Sequence, residues 1–364
     1  MILVPVGTKA QLIKMAPVLR ALDQDGLDYD FVLTGQHRET MTDLIAAFGL
    51  RNPQHNLVGP EEANTPRKLL AWLFAVLKCG LRKDSLFANP AYRVCLVHGD
   101  TLSTLVCAFL ARRHGIPVAH IEAGLRSYNW FHPFPEELTR IAVSKLAEIF
   151  YCAGTWACNN VDALRRTRRE VVDIRDNTLL DAVRYATELQ TPAAADAPIY
   201  AIASIHRFEN LRTRERLDFI MEQIVIAADY CPIRFVLHPV TRVKLEQTGW
   251  MQRLMDTPRV ELIPRMDYVR FLGLLSNARF IITDGGSNQE ESAYLDLPCL
   301  IMRKRTERQE GLNANAVLSD YDATRIRAFL ENHSGPRPRT PDLNAAGSPS
   351  RRIAQHLKAW LARS

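Results

Sequence analysis

The feature that most constrains this chain is a repeated alternation of short apolar runs with longer stretches whose apolar residues fall at helical spacing. Apolar runs at 2–6, 30–34, 94–98, 117–121 and 148–152 form a first series. Helices are expected between them, for example over 11–25 and 101–114. A second series begins near Ile199-Tyr200-Ala201-Ile202-Ala203. It continues with Arg234–Leu237, Val260–Ile263, Phe280–Thr283 and Pro298–Met302. The stretch Thr191-Pro192-Ala193-Ala194-Ala195-Asp196-Ala197-Pro198 lies between the two series and reads as a connector. Strand and helix in alternation is the pattern of an α/β fold with parallel sheets. Two such series in 364 residues predict two Rossmann-like domains, over 1–185 and 198–345. Ligands of such folds bind at the C-terminal strand ends, so the cleft between domains is the expected active site. Residues 334–352 are rich in Pro, Gly, Ser and Arg and read as a loop. Beyond it, Ile353, Leu357, Trp360 and Leu361 recur at helical spacing, which predicts a final helix over 350–364 packing back on the first domain.

Bulk properties narrow the function class. Hydrophobic content of 47% and charged content of 24% are ordinary for a soluble enzyme. The formal charge of +6 is compatible with an anionic ligand. The basic runs at Arg165–Arg169 and Arg303–Arg308 are short and lack interleaved aromatics, which argues against nucleic acid. Seven scattered cysteines without a CxxC pair read as buried thiols in a reducing compartment, hence cytoplasmic, with no metal site expected. The chain opens directly on a strand, so no signal peptide is expected. Leu69–Leu77 is too short to span a bilayer and reads as a buried helix or a subunit contact.

Several strand ends carry residues with chemistry. Asp284-Gly285-Gly286-Ser287-Asn288-Gln289-Glu290-Glu291 follows the apolar run 280–283. A Gly turn into a helix presents free N–H groups to an anion, although a plain βα turn also uses glycine. Gly7-Thr8-Lys9 ends the first strand and Lys14 follows. Lysines there can hold phosphate, and a solvated turn lysine is the alternative. His98-Gly99-Asp100-Thr101 places Asp100 at a helix start, as an N-cap or as a carboxylate aimed at ligand. Glu122, before Ala123-Gly124-Leu125-Arg126, stands at a strand's C-terminal edge, where structure alone gives it little reason to be. In Pro135-Glu136-Glu137-Leu138-Thr139-Arg140 the glutamates suit a helix first turn, and Glu136 and Arg140 share a face. His206, after Ser204-Ile205, is a candidate acid, base or phosphate donor, with an ordinary surface histidine as the alternative.

Taken together, these segments resemble the non-hydrolysing UDP-N-acetylglucosamine 2-epimerase family across nearly the whole chain. The matching stretches are Gly7-Thr8 with Lys14-Met15-Ala16-Pro17, Thr34-Gly35-Gln36-His37-Arg38-Glu39, His98–Thr101, Glu122–Arg126, Pro135–Glu137 with Arg140, and His206-Arg207. The last are Asp284–Gly286 with Gln289–Glu291, and Thr306-Glu307-Arg308. The resemblance implies a GT-B-like fold, a homodimer, no cofactor, and UDP held mainly by the second domain. It implies C2 epimerisation of a UDP-N-acetylhexosamine through loss and re-addition of UDP. The implied catalytic residues are Asp100, Glu122, Glu136 and His206. The implied substrate-binding residues are Lys9, Lys14, Arg140, Phe271, Gly285, Gly286, Ser287, Glu291 and Arg308, with Phe271 by the uracil and Glu291 on the ribose.

The chain also departs from that pattern. Gly7-Thr8-Lys9-Ala10-Gln11 stands where the family has Gly-Thr-Arg-Pro-Glu. Gly285, Ser287 and Asn288 stand where it has Ser, Gly and an apolar residue. Asp176-Asn177-Thr178 replaces Gly-Asn-Thr, and Gln309 replaces a proline. These changes leave room for a different nucleotide sugar. A GT-B glycosyltransferase and a non-catalytic UDP-sugar-binding protein are the other readings.

Overall fold

The computed structural model describes residues 1–36, 41–59, 65–130, 134–162, 169–190, 198–306, 308–335, 343 and 347–363. The connector 191–197, most of the basic run 165–169, His37-Arg38-Glu39 and Glu307 lie outside the described residues. The chain forms two compact units, 1–185 with 346–364, and 186–345.

In the first unit the elements run β1 (Ile2–Val6), α1 (Lys9–Gln24), β2 (Tyr29–Leu33), α2 (Met41–Ala47), β3 (His55–Asn56), α3 (Pro66–Gly80), β4 (Val94–His98), α4 (Leu102–Arg113), β5 (Val118–Ala123), α5 (Glu136–Leu146), β6 (Ile149–Cys152), α6 (Gly154–Asp162), β7 (Glu170–Asp173) and α7 (Leu179–Glu188). The strands form one parallel sheet in the order β3-β2-β1-β4-β5-β6-β7. That is a doubly wound topology, reversing direction between β1 and β4. The central strands β1, β4, β5 and β6 are buried along their whole length, as parallel strands covered on both faces must be. Leu3, Cys95, Val97, Val118 and Phe150 from the sheet pack with Val106, Cys107 and Leu110 of α4. The short edge strands β3 and β7 carry too little apolar sequence to be read in advance.

The second unit contains β8 (Ala201–Ser204), α8 (Phe208–Leu211), α9 (Arg214–Tyr230), β9 (Ile233–Leu237), α10 (Pro239–Thr248), α11 (Trp250–Met255), β10 (Val260–Pro264), α12 (Tyr268–Ser276), β11 (Ile281–Thr283), α13 (Gly286–Tyr294), β12 (Cys299–Ile301), β13 (Ala316–Leu318) and α14 (Ala323–His333). Its parallel sheet runs β10-β9-β8-β11-β12-β13 and reverses between β8 and β11. Ile220, Met221 and Ile224 of α9 and Ile326, Phe329 and Leu330 of α14 pack against Phe235, Ile282 and Leu300 of the sheet.

The last helix, α15 (Pro349–Arg363), belongs to the first unit, where it packs against α1. Ile353, Ala354 and Leu357 are its buried stripe, and Ser348 Oγ and Ser350 N–H both donate to Asp181 Oδ2 of α7. α3 buries Trp72 and Val76 but leaves Leu70, Phe74 and the following Leu81 exposed.

Candidate active site

In the first unit the candidate residues gather where β1, β4 and β5 end. β1 turns into α1 through Gly7, where a Cβ would stand 2.2 Å from Ser103 Oγ and 2.8 Å from Thr34 Oγ1. Only a residue without a side chain allows that approach. Thr8 caps α1 and Gln11 completes a capping box. The Gln11 amide does more than cap. Its Oε1 accepts from the Gly7 and Thr8 N–H groups, and its Nε2 donates to His98 O at 2.8 Å and Thr104 Oγ1 at 2.7 Å. One buried side chain thus ties the β1–α1 turn to the β4–α4 turn. Lys9 is the first residue of α1 and is half-buried.

Lys14, one turn further along α1, is buried, and its Nζ lies 2.5 Å from Glu122 Oε1. Asn177 Nδ2 donates to the same oxygen at 2.6 Å. Glu122 itself has φ 63° and sits where the β5–β6 register slips between Ile121 and Ala123. A non-glycine residue held in the left-handed region costs about 1–3 kcal/mol, and such bulges re-aim a side chain at functional sites.

A second charge network runs through α5. Arg140 donates through Nε to Asp100 Oδ2 at 2.8 Å, with Nη2 2.6 Å from the same oxygen. Its Nη1 reaches Glu137 Oε2 at 3.3 Å. Glu137 is fully buried and also accepts from Arg126 Nε at 2.6 Å and Ser127 N–H at 2.9 Å. Burial raises the Glu137 pKa, but the Ser127 N–H and the two guanidinium groups outweigh it and hold the carboxyl below its ordinary value. The shared face of Glu136 and Arg140 therefore does not pair them; Arg140 pairs with Asp100 and Glu137. Glu136 Oε2 is buried without a hydrogen-bond partner among the described residues. Asp100 is not a helix cap, because Thr101 caps α4. Beside it, His120 is buried on β5 with Nε2 2.8 Å from Gly99 O. A carbonyl accepts only from an N–H, so Nε2 carries the proton, and burial lowers the imidazole pKa and keeps the ring neutral.

In the second unit Asp284 is the organising residue. It is fully buried and follows β11. Its carboxylate accepts from His206 N–H, Arg207 N–H and Asn210 Nδ2, all near 3 Å, which pins the turn after β8. The His206 ring stacks on His238 with centroids 4.4 Å apart, and its Nδ1 lies 3.4 Å from Asp284 Oδ1. Burial lowers the His206 pKa, opposed by the Asp284 charge and reinforced by Arg207 and Arg265. Gly285 is the N-cap of α13, Gly286 and Ser287 are its first residues, and Ser287 is exposed. Further along the helix, Gln289 Nε2 donates to Arg308 O and Glu310 O, and its Oε1 accepts from Thr306. Arg308 Nη1 then reaches buried Glu290 at 3.0 Å. Glu291 is buried near Tyr268, whose hydroxyl pKa is raised by burial and by the Glu291 and Glu290 charges. Phe271 is half-buried on α12.

A family model described as UDP-N-acetylglucosamine 2-epimerase matches residues 20–358. The chain belongs to that family. A UDP-N-acetylglucosamine 2-epimerase of Methanocaldococcus jannaschii is 31% identical over 342 residues, covering 89% of each chain. A UDP-2,3-diacetamido-2,3-dideoxy-D-glucuronate 2-epimerase of Pseudomonas aeruginosa is 31% identical over 316 residues, covering 84% of each. The solved structure of the M. jannaschii UDP-GlcNAc 2-epimerase in complex with UDP-GlcNAc and UDP superposes with a TM-score of 0.82 at 26% identity, covering 98% of this chain and 99% of that one. The fold is thus the GT-B-like α/β fold of those enzymes.

The fold gives work to residues that carry no local signal in the sequence. Gln11 was legible only as a lost carboxylate, yet its Nε2 donates to two acceptors that a carboxylate could not serve. Asn177 stood only as a neighbour of the altered Asp176, and it is the amide on Glu122. Glu137 and His120 were not singled out, because a buried glutamate and a strand histidine carry no local signal. Asp284 was noted only as the start of a Gly turn.

Proposed function

We propose that this enzyme interconverts UDP-N-acetylglucosamine and UDP-N-acetylmannosamine by inverting C2 of the sugar. The observation that carries the proposal is the set of carboxylates Asp100, Glu122 and Glu136 at the sheet edge of the first unit, two of them held by buried cations, Arg140 and Lys14. The C2 proton of a pyranose is not next to a carbonyl and is hard to remove directly. Breaking the anomeric C–O bond first puts positive charge at C1 and acidifies C2–H. The bond electrons leave with UDP, the C2 proton goes to a base, and a C1–C2 double bond forms. Re-addition of UDP, with a proton delivered to the opposite face of C2, gives the epimer. Glu136, whose Oε2 has no partner among the described residues, is assigned the C2 proton. Asp100 and Glu122, each paired with a cation, are assigned to stabilising charge at C1. The second unit is assigned the nucleotide. The opening of α13 at Gly285, Gly286 and Ser287 favours the diphosphate, with Arg308 and neutral His206 beside the departing phosphate. Glu291 is assigned the ribose and Phe271 the uracil, and Lys9 adds charge near the substrate.

A different UDP-sugar is the second reading. It is favoured by the equal identity to the P. aeruginosa enzyme, whose name gives a diacetamido glucuronate, and by the departures at Lys9 and Gly285. The test is proton NMR in deuterated water with each nucleotide sugar in turn. Deuterium at C2 with appearance of the manno isomer from UDP-N-acetylglucosamine supports the first reading. Turnover of another UDP-sugar alone supports the second, and inertness toward all of them sinks both.

The exposed apolar residues Leu70, Phe74 and Leu81 at α3 support a homodimer, checked by sedimentation of the full chain. Free cysteines throughout the described residues support a reducing, cytoplasmic setting. Among the described residues no helix is long and apolar enough to cross a membrane.

A further inference from the structure

Glu122 stands in a backbone conformation that a glutamate does not favour, with φ 63° where the β5–β6 register slips. A residue stays in that region only when its surroundings hold it there. Its side chain is buried, and two donors converge on one of its oxygens. Lys14 Nζ lies 2.5 Å from Oε1, and Asn177 Nδ2 donates to the same atom at 2.6 Å. Oε2 lies toward the β4–α4 turn: a Cβ on Gly99, the residue before Asp100, would stand 3.3 Å from it.

The two donors differ in what they supply. Lys14 brings charge on a long, flexible stem. Asn177 brings direction. It is buried just before α7 and accepts twice from the first residues of that helix. Leu179 N–H donates to its Oδ1 at 3.0 Å, and Leu180 N–H donates to its backbone carbonyl oxygen at 3.0 Å. A backbone N–H can only donate, so the amide oxygen must face Leu179 and the amide NH2 must face Glu122. Turning the amide over would set its oxygen against a carboxylate oxygen and its NH2 against an N–H. The start of α7 therefore decides which way the donor on Glu122 points.

We propose that Asn177 is a positioning residue for the reaction: α7 fixes its amide, and the amide fixes the direction of the Glu122 carboxylate. The proposal rests on the reading that Glu122 stabilises charge at C1. Asn177 acts through Glu122, so its loss is felt as that charge develops and not when substrate binds. Lys14 is the cation on Glu122, and His120 feels the charges of both Glu122 and Asp100. Lys14, His120 and Asp100 are thus the groups that share in a change of protonation at Glu122.

Steady-state kinetics and deuterium exchange at C2 of UDP-N-acetylglucosamine, followed across pH with the full chain, test it. Thermal melting of each variant is the control for folding. Asn177→Ser keeps an oxygen for Leu179 N–H and is too short to reach Glu122. It should lower kcat about tenfold, the size of one hydrogen bond to a charged group, with KM within about twofold of wild type. Asn177→Asp keeps the shape and the Leu179 contact but sets a second carboxylate against Glu122. It should move the acid limb of the exchange profile up by about one pH unit, because two carboxylates so close share a proton. Wild-type kcat in Asn177→Ser overturns the proposal. An acid limb in Asn177→Asp that stays at its wild-type position also overturns it. So does a loss of kcat that only tracks a loss of melting temperature, since Asn177 would then do no more than cap α7. If Glu122→Gln is inactive, each of these results leaves the reading of Glu122 standing. Wild-type exchange in Glu122→Gln, or a wild-type chain inert toward the sugar nucleotide, overturns that reading and the proposal with it.

Discussion

Gln11 shows how much one side-chain amide can decide. Its carbonyl oxygen serves the first turn of α1, and its Nε2 serves His98 O and Thr104 Oγ1 across the sheet edge. Gln11→Glu keeps the shape and removes both donor bonds, and it sets a carboxylate against a carbonyl oxygen. We expect a loss of about 1–3 kcal/mol in urea unfolding; an unchanged midpoint would mean the bonds carry nothing. Asp100 belongs to the same scale. Asp100→Asn keeps a hydrogen-bond acceptor for Arg140 but loses the charge. It should abolish deuterium exchange at C2 while UDP still binds, and normal exchange in that variant would remove Asp100 from the proposed chemistry.

At the scale of the element, α5 separates two neighbouring glutamates. Successive helical residues point roughly 100° apart, so Glu136 and Glu137 cannot do the same work. Glu137 is sealed between Arg126 and Arg140, and Glu136 keeps an oxygen without a partner among the described residues. Glu137→Gln should lower the melting temperature and activity together, since it disturbs the Arg140 guanidinium, which also reaches Asp100. Glu136→Gln should lower activity with the melting temperature held. If both variants melted alike and lost activity alike, the division of labour argued here would be wrong. α15 is the other telling element. Leu357 is fully buried against the first unit, so Leu357→Ala should cost about 2–5 kcal/mol, seen as faster amide exchange in α1 and α15.

For the whole molecule, buried His120 and part-buried His206 set the response to acid. His120 and His206 both have pKa values lowered from 6.5, chiefly by burial. Below that value the unfolded chain takes up protons that the folded chain refuses, so stability falls as pH drops from 7 to 5. Glu137 acts in the same direction at lower pH. The stability it contributes is present above the unfolded value near 4.5 and is lost as pH falls through its depressed folded value. Scanning calorimetry should therefore show a melting temperature that declines between pH 7 and 5; a rise over that interval would contradict the assignment of neutral imidazoles.

The strand and helix series, the Gly turn at 285–286 and the carboxylates at 100, 122 and 136 were all legible in the order of residue types. Apolar run length and turn chemistry are local properties. The edge strands β3 and β7 were not legible, because their pairing depends on a neighbour and not on their own apolar content. The networks were not legible either. Lys14 and Asn177 on Glu122, Arg140 between Asp100 and Glu137, and Gln11 on His98 join residues that share no spacing rule, or choose one partner where spacing offered another. The sequence by itself determined that this is a family of parallel sheets with charged strand ends. Only the tertiary structure decided which charges are paired, which carboxylate oxygen is left without a partner and which amide faces Glu122, because pairing is set by distance in the fold and not along the chain.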